Sequence, residues 1–140
     1  MANKVHLTSR LYYICSPNHL YTNKIYTAMS LRLGDVAPNF QAKTSLGEID
    51  FYEYLGDSWG ILFSHPADYT PVCTTELGRT AALKDEFASR NTKVLALSVD
   101  PVDKHLGWIS DINETQNCSV EFPIIADDDR GEGCYFKCTR

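Results

Sequence analysis

Two runs of the chain are apolar on successive rather than alternate residues: Trp59-Gly60-Ile61-Leu62-Phe63-Ser64 and Lys93-Val94-Leu95-Ala96-Leu97-Ser98-Val99. A strand covered on both faces has this pattern, so each run is expected to be a central parallel strand. Between them, residues 71–90 have helix length, with Leu83 and Phe87 four apart and Lys84, Asp85 and Glu86 able to face water. After the second run, Asp100 is placed to cap a helix and Pro101 to occupy its first position. Val102, His105, Leu106, Ile109 and Ile112 then follow at helical spacing over 101–114. Asn117 to Glu121 read as a loop, and Phe122-Pro123-Ile124-Ile125-Ala126 as a further short strand. Upstream, Phe40, Ala42, the turn residues Ser45-Leu46-Gly47, then Ile49, Phe51 and Tyr54 predict a hairpin leading into a turn at Gly56-Asp57. Strands alternating with helices predict an α/β fold, a central mostly parallel sheet flanked by helices on both faces.

The bias of the first residues divides the chain. Residues 1–34 contain no acidic side chain but do contain Lys4, Arg10, Lys24 and Arg32 among many Ser, Thr, Tyr and Asn. We therefore expect a disordered extension over 1–30, a domain over 31–129 and a distinct tail over 130–140. With 140 residues and 44% hydrophobic side chains, one core is affordable and a second full domain is not expected. The net charge of −5 supplies no basic field for a phosphate backbone, so nucleic acid is excluded as a partner. No apolar run approaches the ~18 residues of a membrane span.

The five cysteines, at 15, 73, 118, 134 and 138, are odd in number and irregularly spaced. That pattern suits reduced thiols in the cytoplasm better than a secreted disulfide framework. Cys134 and Cys138 lack the paired partners or His spacing of a zinc site, so no metal is expected. The acid-poor head is similar to a mitochondrial transit peptide, which keeps the mitochondrion as the second localisation.

The chemistry is concentrated in Ser64-His65-Pro66-Ala67-Asp68-Tyr69-Thr70-Pro71-Val72-Cys73-Thr74-Thr75-Glu76, where the first strand gives way to a helix. Loops at the carboxyl ends of parallel strands are where α/β folds place their sites. Thr70 is expected to cap the helix and Pro71 to take its first position, which puts Cys73 in the first turn. The spacing is that of a capping box with a thiol in place of the carboxylate. Backbone N–H groups without helical partners and the positive end of the helix dipole both favour a thiolate there, while Glu76, one turn on, opposes it. A lone cysteine is usually a small buried hydrophobe. The polar flanks and the marked helix start point instead to a reactive thiol. Thr70 is positioned to donate its hydroxyl to the thiolate or to a bound oxygen, Pro66 to shield the loop, and His65 either to pack at the strand end or to act at the site.

Pro66-x-x-x-Thr70-x-x-Cys73 resembles the peroxiredoxin signature, and the wider string from Phe63 to Gly78 resembles the 1-Cys subgroup. The resemblance runs from about Leu33 to Asp128 and includes Gly34 to Phe40, Leu55 to Gly60 and Asn117-Cys118. It implies a thioredoxin-like fold and a peroxidase that reduces hydrogen peroxide and organic hydroperoxides. Cys73 would be the peroxidatic cysteine, cycling through sulfenic acid, Thr70 the catalytic threonine, and Pro66 and His65 parts of the substrate pocket. It implies no bound cofactor but an external thiol, glutathione delivered by a glutathione transferase, and a homodimer. The family continues with further strands, a helix and a C-terminal extension, and takes its active-site arginine from a later strand. This sequence holds no counterpart, so the fold is expected to be incomplete and the tail foreign to the family.

Three other readings have distinct consequences. An impaired fragment would act only by binding full-length subunits. A two-cysteine cycle would use Cys118, Cys134 or Cys138 to resolve the sulfenic acid. Gly56-Asp57-Ser58-Trp59-Gly60 matches the G-x-S-x-G pattern of hydrolases, but Ser58 precedes a strand where a nucleophile elbow would follow one. Tyr52 stands where the resemblance implies the hydrolase histidine.

Overall fold

The computed structural model describes residues 36–128. The expected extension over 1–30 and tail over 130–140, with Cys15, Cys134 and Cys138, lie outside the described residues.

The hairpin forms as β1 (Gln41–Thr44) and β2 (Gly47–Asp50), with Thr44 opposite Gly47 around a Ser45-Leu46 turn. Gly47 has φ +103°, a conformation that side chains resist. The buried Thr44 hydroxyl donates to Gly47 O at 2.7 Å and accepts from Leu46 N at 3.1 Å, closing the turn from within.

The extended pattern expected to continue through Phe51 and Tyr54 is replaced by a helix, α1 (Phe51–Leu55). Its cause is local, because the Asp50 carboxylate accepts from Tyr52 N and Glu53 N, both at 3.1 Å, as an N-cap does. Gly56, at φ +56°, ends it. Phe51 and Leu55 are four apart, so both fall on the buried face.

The two apolar runs are β3 (Trp59–Ser64) and β4 (Thr92–Ser98), paired in parallel. Between them the expected helix divides at Leu83 into α2 (Pro71–Ala82) and α3 (Lys84–Ser89). Leu83 has φ −95° and ψ 13°, outside the helical basin, and α3 turns Lys84, Asp85 and Glu86 to water as expected.

The next helix, α4, covers Val102–Gln116, and its N-cap is Pro101 rather than Asp100. The Asp100 carboxylate is engaged elsewhere, accepting from Asp68 N and Lys104 Nζ, both at 2.6 Å. The last strand, β5, is Ile124–Ala126, shorter than expected because Phe122 and Pro123 remain outside it.

The sheet order is β2-β1-β5-β4-β3, with β3, β4 and β5 parallel and the β1–β2 hairpin antiparallel beside β5. Helices cover both faces. On one, α2 and α4 close over Leu77, Ala81, Val94, Ala96, Trp108, Ile112 and Ile124, and Cys73 belongs to this cluster. On the other, α1 and the segment from Ala37 to Phe40 pack Phe40, Phe51, Leu55, Leu62, Leu95, Leu97 and Ile125. Burial on both faces explains the unbroken apolar runs of β3 and β4.

Candidate functional site

The parallel strand β3 ends at Ser64, and the next residues form a loop that delivers the chain to α2. Thr70 is the N-cap at φ −87° and ψ 135°, and Pro71 is the first helical residue, where its missing N–H costs no helical bond. Cys73 is therefore third in the helix, within the turn whose amides lack helical acceptors. It is 9% exposed, a free thiol at the margin of the core. Both descriptions of a lone cysteine hold for it, since it packs with apolar neighbours and sits at a helix start.

Around the thiol, the expected capping box does not close. Thr70 makes no side-chain cap bond; its hydroxyl donates to Ala67 O at 3.2 Å. The first turn is fixed instead through main-chain Thr70 O, which accepts from Thr74 N and from the Thr74 hydroxyl, both at 2.9 Å. Trp108 of α4, fully buried, donates its indole N–H to Thr74 Oγ1 at 3.0 Å. Glu76 and Arg79 are exposed, and Pro66 lies at the surface of the loop. Tyr69 has φ +61°, a strained backbone for a bulky residue and one that recurs at functional loops. Its ring lies 6.4 Å from that of Trp108.

His65 is 5% exposed, its ring 4.9 Å from that of Trp108, and its Nε2 is 2.9 Å from Asp68 Oδ1. The packing role and the proximity to the thiol loop are thus combined in one residue.

The sequence reading missed the centre of this arrangement. The Asp68 carboxylate is enclosed and receives His65 Nε2, Ser98 Oγ at 3.1 Å and His105 Nδ1 at 2.6 Å. Burial alone would raise the Asp68 carboxyl. The hydrogen bonds from His105 and His65, with their charge, prevail and hold it well below the usual carboxylate range. In the sequence His105 reads only as a helix-face position, and its partner lies 37 residues away. A buried histidine on an otherwise apolar face was the one available signal.

Cys118 is half-buried at the end of α4, where burial pushes its thiol up. Ser58 lies in the turn before β3 and donates to Asn91 Oδ1 at 2.9 Å, the role of a turn residue rather than of an elbow nucleophile. Tyr52 donates its hydroxyl to Ala37 O. A cavity of about 180 Å³ lies apart from Cys73, between α2, α3 and β4, lined by Ala81, Phe87, Val94 and Phe122. Among the described residues no cluster of His, Cys, Asp and Glu is arranged to hold a metal ion. None of their helices is long and apolar enough to cross a membrane.

Residues 33–136 match the AhpC/TSA family. The chain is 60% identical over 100 residues to 1-Cys peroxiredoxin of Dictyostelium discoideum, covering 71% of this chain and 42% of that protein. It is 61% identical over 105 residues to peroxiredoxin-6 of Homo sapiens, covering 71% of this chain and 46% of that one. Among solved structures, the yeast mitochondrial 1-Cys peroxiredoxin, studied for thiol resolution via glutathione/thioredoxin systems, superposes with a TM-score of 0.68. Its identity is 58%, over 69% of this chain and 46% of that one. Peroxiredoxin 6 of Arenicola marina superposes with a TM-score of 0.69 at 46% identity, over 72% of this chain and 47% of that one. The chain thus spans less than half the length of the curated relatives it matches.

Proposed function

Because the chain belongs to the AhpC/TSA family of peroxiredoxins, with their thioredoxin-like fold, we propose that it is a thiol-dependent peroxidase acting through Cys73. The observation that carries this reading is the position of Cys73, in the first turn of α2 at the carboxyl end of a parallel strand.

In the reaction, the Cys73 thiolate attacks one oxygen of hydrogen peroxide or an organic hydroperoxide. The O–O bond breaks and the other oxygen leaves as hydroxide or alkoxide, which takes a proton to become water or alcohol. Cys73 is oxidised to sulfenic acid. An external thiol condenses with the sulfenic acid, releasing water and forming a mixed disulfide, and a second thiol restores Cys73. Glutathione, brought by a glutathione transferase, is the proposed reductant; its support is the glutathione/thioredoxin resolution named for the yeast relative. No prosthetic group enters the cycle.

Thr70 turns its hydroxyl from Ala67 O towards the bound peroxide, a movement about one side-chain bond. Pro66 rims the pocket and His65 lines its inner side. Their nearness in the 65–70 loop that leads into the Cys73 helix supports these roles. The proposed acting unit is a homodimer, and its compartment a reducing one, the cytoplasm, where a cycle closed by an external thiol can run.

The test is mass spectrometry of the purified chain after brief peroxide treatment with a sulfenic-acid trap, with Cys73→Ser as control. Rapid trapping confined to Cys73 is expected. Modification of Cys73 no faster than of Cys118 overturns the proposal, and an internal disulfide would replace the one-cysteine cycle by a two-cysteine one.

A further inference from the structure

The thiol chemistry above makes no use of the most deeply buried charge beside it. The Asp68 side chain has no exposed surface, and neither has that of His105. Asp68 Oδ1 accepts from His65 Nε2 and Ser98 Oγ, while Oδ2 lies 2.6 Å from His105 Nδ1. The other ring nitrogen of His105 lies 3.2 Å from the main-chain oxygen of Ile125. The His105 ring is thus held at both nitrogens, between a carboxylate and a carbonyl. The pair is an enclosed carboxylate and imidazole.

A buried carboxylate with polar partners is a poor device for stability, because well-packed apolar groups of the same volume serve as well or better. What it secures is geometry. Asp68 lies in the loop that ends at Thr70, just before the helix of Cys73, Ser98 ends β4, His105 lies in α4, and Ile125 is in β5. Asp68 N also donates to Asp100 Oδ2, which anchors the same loop to the segment before α4. Through the His65 ring the network reaches Trp108, and through Trp108 Nε1 it reaches Thr74, the residue after Cys73. The loop and the first turn of α2 are thereby tied at both ends to the parallel strands and to α4.

We propose that Asp68 is a positioning residue of the thiol site, acting through its hydrogen bonds with His65, Ser98 and His105 to hold the loop from which the Cys73 helix starts. This deepens the peroxidase reading and rests on it for the reaction that the positioning serves. Reaction with a peroxide demands alignment of sulfur with the O–O bond, whereas alkylation by a small reagent demands much less.

The experiment compares the wild-type chain with Asp68→Asn, which keeps the volume but loses the charge and one acceptor. Three quantities are read: the peroxide rate of Cys73, the iodoacetamide rates of Cys73 and Cys118, and the imidazole and indole nitrogen NMR signals. In Asp68→Asn the imidazole nitrogen signals of His65 and His105 and the Trp108 indole N–H signal move, and the peroxide rate of Cys73 falls about tenfold, with both alkylation rates within about twofold, as misalignment costs. A folded Asp68→Asn with an unchanged peroxide rate, or one whose alkylation rates fall as far as its peroxide rate, overturns the proposal. Should Asp68→Asn fail to fold, Ser98→Ala removes one donor to the same oxygen without touching the charge. It slows the peroxide step by about threefold, the scale of one hydrogen bond, and no slowing overturns the proposal. A wild-type Cys73 inert to peroxide sinks the peroxidase reading itself, whereas reactivity that survives Asp68→Asn sinks this inference alone.

Discussion

The indole nitrogen of Trp108 donates to the hydroxyl of Thr74 at 3.0 Å, and that hydroxyl donates in turn to Thr70 O at 2.9 Å. One side chain of α4 thus holds the helical turn that carries Cys73. Trp108→Phe keeps most of the ring packing and deletes the donor, so it should cost about 1–2 kcal/mol of stability. It should also slow the peroxide reaction of Cys73. Urea unfolding and the sulfenic-acid trap measure the two effects, and a variant with wild-type values for both would show that the bond is incidental.

At Gly78, α2 packs directly against α4. A Cβ added there would lie 2.5 Å from Gln116 Cγ and 2.7 Å from its Cβ. Ordinary helix propensity would favour alanine by about 1 kcal/mol. The contact involves the root of the Gln116 side chain, which cannot swing aside, and overpacking costs about 1–3 kcal/mol. Gly78→Ala should therefore destabilise, and a rise in the thermal midpoint would refute this.

Tyr54 gives an alkaline signature. Burial raises its hydroxyl from the model-compound value of 10.0 to about 12, and that hydroxyl donates to Val94 O at 3.0 Å. Because the folded value is the higher one, its contribution to stability is complete below pH 10 and is lost as the pH rises from 10 towards about 12. Tyr54→Phe should remove that part of the alkaline loss of stability and cost about 1 kcal/mol near neutrality. Unfolding midpoints of both proteins across this pH range would decide it.

Acid should act through Asp68, whose carboxyl is depressed in the folded state. A depressed carboxylate stabilises the fold above its unfolded value of 3.8, and that stabilisation disappears as the pH falls below it. His65, His105, Asp100 and Lys104 surround it and set the depth of the effect. Urea unfolding at a series of acid pH values should show a steeper loss for the wild type than for Asp68→Asn. Parallel curves would mean that Asp68 is not the responsible group.

The sequence by itself determined the elements with a local cause. β3 and β4 followed from apolar runs that only a strand covered on both faces requires, and the start of α2 from Thr70 and Pro71, which place Cys73 in the first turn. The motif around Cys73 also carried the family. Where local signals competed, the outcome departed from the expected elements: Asp50 turned an extended pattern into α1, and Asp100 was drawn from the helix cap to Asp68 N and Lys104. The Asp68 cluster could be decided only by the tertiary structure. Its members, at 65, 68, 98 and 105, belong to a loop, a strand end and a helix, and no periodicity links them. A buried carboxylate becomes tolerable only when donors arrive from all those directions at once, and it is the packing of α4 across the parallel strands that brings them there.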